Sequence, residues 1–237
     1  MIVKAIKTAV FKEGDNLADF IVRHIPKLKE KSILIVTSKI VALAEKRTAE
    51  IKNSKTKKEL IKKESQFALE SKYVWLTIKD GAVMASAGID ESNANGKQIL
   101  LPKDSYKSAD LSRKFLQKKY KIKKLGVLIT DSRTLPMRAG VVGLAVGYAG
   151  FKGIKDYRKK PDIFGRKFKF SRTNIADSLA SSAVLLMGEG NEQTPLAVIN
   201  DAPVEFCNKI MRKELYIDFE DDMYRPLFSK IPGRHKK

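Results

Sequence analysis

Short apolar runs of strand length punctuate the chain: Ser32–Thr37 (SILIVT), Tyr73–Ile78 (YVWLTI), Ala82–Ala87, Gly126–Thr130 (GVLIT) and Leu196–Ile199 (LAVI). Their β-branched content predicts strands. Between them the pattern changes to a helical period. Asp15 can cap a helix in which Leu17, Phe20 and Ile21 share a face, and Ser108 can cap one running through Leu111, Phe115 and Lys119. The strongest helical pattern begins near Thr173, where Ile175, Leu179, Ala183 and Leu186 align on one side. The order is irregular rather than a repeated βαβα alternation, which predicts an α+β fold with mixed sheets and packed helices. No internal repeat or low-complexity linker divides the chain, so residues 1–237 are read as a single domain with a basic tail over Lys230–Lys237.

Composition narrows the class. With 43% hydrophobic residues in 237, the chain is too apolar for a disordered tail and long enough for a sizeable core. No apolar run approaches the ~20 residues that span a bilayer, and Met1–Lys12 lacks the apolar stretch of a secretion signal. The single cysteine, Cys207, excludes an intrachain disulfide and a cysteine-built zinc site, so a reducing, cytoplasmic setting is expected. Forty-seven Lys and Arg against 27 Asp and Glu leave a net charge of +20. Such a surplus attracts either nucleic acid or small polyanionic substrates. It is concentrated in Lys46–Lys63, Arg113–Lys124 and Lys155–Arg172, where solvated surface is the ordinary explanation. Aromatics suited to base stacking are sparse there, which leaves a non-enzymatic nucleic-acid-binding module as the distant alternative.

Neither a P-loop nor a G-x-G-x-x-G is present, and the two histidines, His24 on a helix and His235 in the tail, read as surface rather than catalytic. The informative residues are acids in apolar surroundings. Asp90 ends the run from Ala82 and opens Asp90-Glu-Ser-Asn93; Asp131 ends Gly126–Asp131 and opens a loop through Arg138. Carboxylates at strand ends, beside hydroxyl and amide groups, suit a hard divalent cation held together with substrate phosphates, although turn or cap roles are the commoner use of such acids. Four glycines between Gly140 and Gly150 permit close backbone approach to a ligand or a packed element. In Met187–Thr194, glycines can end the preceding helix, while backbone N–H groups and Glu189 can meet a nucleotide and its metal.

An ordered set of segments resembles the coenzyme F420-0:L-glutamate ligase family: Ser38–Glu45, Gly88–Asn93, Leu100–Asp104, Asp131-Ser132, Arg138–Gly140, Gly143–Gly150, Asp156–Arg158 with Asp162–Gly165, and Met187–Glu189. The resemblance covers most of the chain. It implies an F420 ligase-like fold and a GTP-dependent ligase that joins L-glutamate, through a γ-glutamyl amide, to the carboxylate tail of a cofactor. It implies metal ligation by Asp90, Asp131, Ser132 and Glu189, with two Mg2+ or Mn2+ sites and room for a monovalent cation such as K+. Nucleotide contacts are implied at Ser38, Lys39, Asn93, Met187, Gly188, Glu189, Gly190 and Asn191. Arg138 and Arg133 are candidate forks for a phosphate or carboxylate, with Arg158 holding a substrate carboxylate and Asp156 orienting it or accepting a proton. A homodimer is also implied.

Two departures stand out. The family has Ser-Lys where this chain has Ala42-Leu43, and its Gly-Arg-Pro-Trp-Arg appears here as Thr134-Leu-Pro-Met-Arg138. The second change lies beside the implied metal site. A folate (tetrahydropteroyl) tail is therefore an alternative acceptor, as in a divergent branch that resembles replacements for folylpolyglutamate synthase.

Overall fold

The computed structural model describes residues 1–51 and 53–228. The expected basic tail and His235 lie outside the described residues. The elements are β1 (Ile2–Ile6), α1 (Leu17–His24), β2 (Ser32–Thr37), α2 (Ser38–Ala44), β3 (Thr48–Ala49), α3 (Ser54–Glu64), β4 (Phe67–Glu70), β5 (Trp75–Lys79), β6 (Ala82–Ala85), β7 (Gln98–Ile99), α4 (Ser105–Tyr120), β8 (Leu125–Arg133), β9 (Val142–Ala149), β10 (Ile154–Asp156), β11 (Arg172–Asn174), α5 (Ile175–Met187) and β12 (Leu196–Asn200). The α+β expectation holds. Five strands form a mixed sheet in the order β1-β12-β2-β8-β9, in which β2 and β8 run parallel and the other neighbours antiparallel.

Strand β2 shows why this sheet is central. Leu34 and Val36 face one apolar layer with Phe20 and Ile21 of α1, Ile40 and Val41 of α2, and Leu116 of α4. Ile33 and Ile35 face the other, against Ala176, Leu179, Ala180 and Ala183 of α5. A strand covered on both faces reads as a continuous apolar run, as SILIVT does. A separate three-stranded antiparallel sheet, β4-β5-β6, and the short β3/β7 ladder lie between α2 and α4 in sequence, and β10 pairs with β11.

Local chemistry corrects several boundaries. Asn16, not Asp15, caps α1 by accepting from the Ala18 and Asp19 amides; Asp15 instead accepts from Lys12 N. Asp104, not Ser108, caps α4, so that helix starts a turn earlier and Ser108 Oγ donates to Glu45. Thr173 belongs to β11, and Asn174 caps α5. The predicted 73–78 strand begins only at Trp75, and the strand from Ala82 stops at Ala85. Strand β8 runs on through Arg133, because β9 supplies partners for Asp131, Ser132 and Arg133. The glycine-rich segment is therefore mostly a strand. Gly147 has a packing reason: a Cβ there would lie 2.5 Å from the Ser105 carbonyl carbon at the start of α4. No helix among the described residues is long and apolar enough to cross a membrane.

Candidate functional site

The parallel pair β2/β8 creates the site. Ligands in sheets with parallel strands gather beyond the carboxyl ends of those strands, where following segments diverge. Here Thr37 and Thr130 are paired, and Ser38 and Asp131 follow them immediately. A cleft of about 450 Å3 opens at this point, within the range typical of small-molecule sites. Its walls come from four other places: the Thr8–Phe11 strap after β1, the 85–93 segment after β6, Val184 of α5, and the Met187–Pro195 connection from α5 to β12.

Asp131 sits at the floor. Its Oδ1 accepts from Ser38 Oγ at 2.9 Å, and Arg133 Nε lies 3.9 Å from Oδ2. The side chain is 23% exposed, and burial pushes its pKa up despite the attraction of Arg133 and the Ser38 hydrogen bond. A register shift between Ile129 and Thr130 precedes it; such a bulge re-aims the side chains that follow. The next residue, Ser132, donates to Glu189 Oε1 at 2.5 Å, tying the end of β8 to the segment after α5. Gly188 at that helix end has φ +75°, a left-handed conformation that glycine tolerates.

Asp90 reaches the cleft by a different route. Ser86 and Ala87 both adopt left-handed backbone conformations, with φ 48° and 58°. Thr77 Oγ1, which donates to Met84 O and accepts from Ala87 N, holds that turn. Non-glycine residues in this region store strain, which persists where surroundings over-determine it. Asp90 then exchanges backbone hydrogen bonds with Ile99. Burial opposes ionisation of its carboxyl, but the Lys39 hydrogen bond and the Ser92 amide outweigh it and lower the pKa. Lys39 Nζ lies 2.8 Å from Asp90 Oδ2 and also donates to Ser92 O and Oγ. Across the cleft, Asn93 Nδ2 donates to Gly190 O at 3.3 Å.

The structure thus brings Ser38, Lys39, Asp90, Asn93, Asp131 and Ser132 to one cleft with Met187, Gly188, Glu189, Gly190 and Asn191. The other three expected residues do not line it. Arg138 lies in the exposed loop between β8 and β9. Asp156 and Arg158 pair with each other at the β10–β11 arm, with Arg158 Nη2 at 2.6 Å from Asp156 Oδ2. The Arg158 hydrogen bonds hold the Asp156 carboxyl down at about 2, which favours the charged form that orients Arg158 over one that takes up a proton. Arg133 is the stronger of the two Arg candidates near Asp131: it is 7% exposed, and its Nε has no hydrogen-bond partner.

No cluster of three or more His, Cys, Asp or Glu among the described residues forms a ready metal cage. The donors that face the cleft are carboxylate and hydroxyl oxygens, the chemistry of a hard cation completed by phosphate oxygens. The Thr8–Phe11 strap was not anticipated. No sequence pattern marks it; it follows β1, the edge strand of the five-stranded sheet.

The sequence profile of the F420-0:gamma-glutamyl ligase family matches residues 5–201, a span that holds every residue lining the cleft. The chain belongs to this family. The coenzyme F420:L-glutamate ligase of Methanococcus maripaludis strain C7 is 33% identical over 231 residues, covering 90% of this chain and 92% of that protein. That of Archaeoglobus fulgidus is 33% identical over 235 residues, 91% of this chain and 92% of that protein. A third, from Methanocaldococcus jannaschii, is 40% identical over 147 residues, 62% of this chain and 58% of that protein. As a member of the F420-0:gamma-glutamyl ligase family, the chain is an amide-forming ligase.

Proposed function

We propose that this family member joins L-glutamate to the terminal carboxylate of a deazaflavin cofactor, coenzyme F420-0, at the expense of GTP. The observation that carries this reading is the convergence of Asp131, Ser132, Glu189 and Asp90 on one cleft with the Met187–Asn191 backbone. An amide does not form from a carboxylate and an amine without activation. The acceptor carboxylate oxygen attacks the γ-phosphorus of GTP, the bond to GDP breaks, and an acyl phosphate results. The α-amine of glutamate, having lost a proton, attacks the acyl carbon and expels phosphate.

The chain's own contribution is positioning and charge, as in other phosphoryl transfers. Asn93 and the 187–191 backbone cradle the nucleotide, and Lys39 meets its phosphates. Asp90, Asp131, Ser132 and Glu189 would hold magnesium or manganese, which neutralises charge on the phosphate oxygens. Arg133 keeps a positive charge beside Asp131 where negative charge gathers. A homodimer in a cytoplasmic setting goes with this reading, supported by exposed Ile163, Phe164 and Phe170 on the β10–β11 arm and by the lone cysteine.

The test incubates purified protein with GTP or ATP, magnesium or manganese and labelled glutamate, offering deazaflavin and folate acceptors in parallel, with products read by mass spectrometry. A glutamylated deazaflavin with matching GDP release is expected. Glutamylated folate alone would move the acceptor to the branch favoured by Thr134–Arg138, whose Met137 is fully exposed. No glutamylated product from either acceptor would overturn the reading.

A further inference from the structure

His24 has a role that its surface-like sequence context hides. It is the last residue of α1, and both ring nitrogens are engaged. The Ala9 backbone N–H points at Nε2 over 3.1 Å, and Nδ1 lies 2.9 Å from the Phe20 carbonyl. A backbone N–H only donates, so Nε2 must be the acceptor and Nδ1 must carry the proton that goes to Phe20 O. The neutral Nδ1–H tautomer alone satisfies both contacts. The ring also packs on Phe20 at 4.4 Å between centroids, and Phe20 meets Phe11 edge-on at 4.9 Å.

Those contacts hold the strap that walls the cleft. Thr8, Ala9, Val10 and Phe11 all line it. On one side Thr8 N donates to Gln193 O at 2.9 Å, within the connection that carries Glu189. On the other side the strap is gripped by His24 and by the Phe11–Phe20 contact. We propose that His24 is a positioning residue for the cleft: its neutral imidazole clasps Ala9 and so sets the Thr8–Phe11 wall against the Gln193 connection. Protonating the ring turns Nε2 into a donor facing another donor, and the clasp opens.

The ring faces β1, β12 and the segment after α1. Lys4 of β1 and Lys27 and Lys29 after α1 line a second cavity with it, together with Val198 and Asn200 of β12; among the described residues no carboxylate lines that cavity. Arg23 precedes it on α1, and Lys7 and Lys12 flank the strap. From α4, the Tyr120 hydroxyl is spent on the Ile25 carbonyl.

The test uses the full chain labelled for NMR. Ring nitrogen shifts report the tautomer and titration of His24, and exchange protection factors report Ala9 and Thr8. In wild type, the Nδ1–H tautomer is expected at neutral pH, with Ala9 protection falling about tenfold as the ring protonates, the scale of one hydrogen bond lost. His24→Gln places an amide oxygen near the Nε2 position and does not titrate, so Ala9 stays protected across the same range. His24→Leu leaves Ala9 unprotected throughout. Equal Ala9 protection in wild type and His24→Leu would overturn the proposal. Should His24→Leu fail to fold, a wild-type Ala9 amide indifferent to ring protonation, or a Gln variant that follows the wild-type pH dependence, does so instead. The link to turnover rests on the ligase reading: the KM for nucleotide rises on acidification in wild type and not in His24→Gln, with kcat changing equally in both. The NMR readout needs no substrate, so failure of that reading and failure of the clasp are told apart.

Discussion

At the residue scale the site is a compromise between chemistry and stability. Asp131 is held where burial raises its pKa, so its charged form is disfavoured by folding. Stability contributed by a group with a raised folded pKa is lost as pH rises, and at neutral pH the carboxylate is a net cost. Asp131→Asn removes that charge while an amide oxygen can still accept from Ser38. The variant is expected to melt above wild type when both are assayed metal-free by calorimetry. It is also expected to lose on the order of 10^2-fold or more of glutamate-dependent GDP release, the scale of one transition-state charge contact. A variant with lower melting temperature and intact turnover would contradict both roles. The identity of Asp131 as a residue of interest was legible from an acid after an apolar run. Its pairing with Ser38, 93 positions away, was not, because only the parallel register of β2 and β8 brings them together.

At the element scale, β8, β9 and α5 form the frame that aims the cleft residues. Asn174 accepts from Asp177 N at the start of α5, and the far end of that helix delivers Met187 and Glu189. Asn174→Ala should cost about 1 kcal/mol in denaturant unfolding, as loss of a cap does, and should loosen α5 first. Gly147→Ala should cost more, about 1 to 3 kcal/mol as over-packing does, because its Cβ would collide with backbone at the start of α4. Hydrogen exchange along β9 and α4 checks the location, and an undisturbed α4 would contradict the contact. The helix faces were readable from periodicity, whereas the caps were misplaced by one to four residues. Asp, Asn and Ser are all competent caps, and which one is used depends on where tertiary contacts let the chain turn.

At the scale of the whole molecule, the region after β12 returns to brace the sheet. Arg212 forks onto Asp104 at 2.9 and 2.8 Å, and Glu214 accepts from Tyr148 Oη and Gly153 N. The Arg212 hydrogen bond holds Asp104 below its ordinary 3.8. A depressed folded pKa contributes stability that is present at neutral pH and lost as acid protonates the carboxylate. Arg212→Ala should therefore lower the melting temperature at neutral pH, and the gap to wild type should close as pH falls below the ordinary carboxylate value. A gap that persists in acid would mean packing, not charge, is at work. The +20 surplus remains largely a property of solvated segments, while the acids that matter are few and enclosed. By itself the sequence determined the fold class, the Ser32–Thr37 strand, the strongest helix, Asp90, Asp131 and the Met187–Thr194 segment, because burial patterns and acids in apolar settings leave a local trace; Ser38, Lys39, Asn93 and Ser132 were marked only by the family resemblance. Only the tertiary structure decided that Asp156 and Arg158 lie apart from the cleft, that Arg133 is buried beside Asp131, and that His24 grips the strap. Those are contacts between segments distant in the chain, set by strand register and helix packing, which no local pattern encodes.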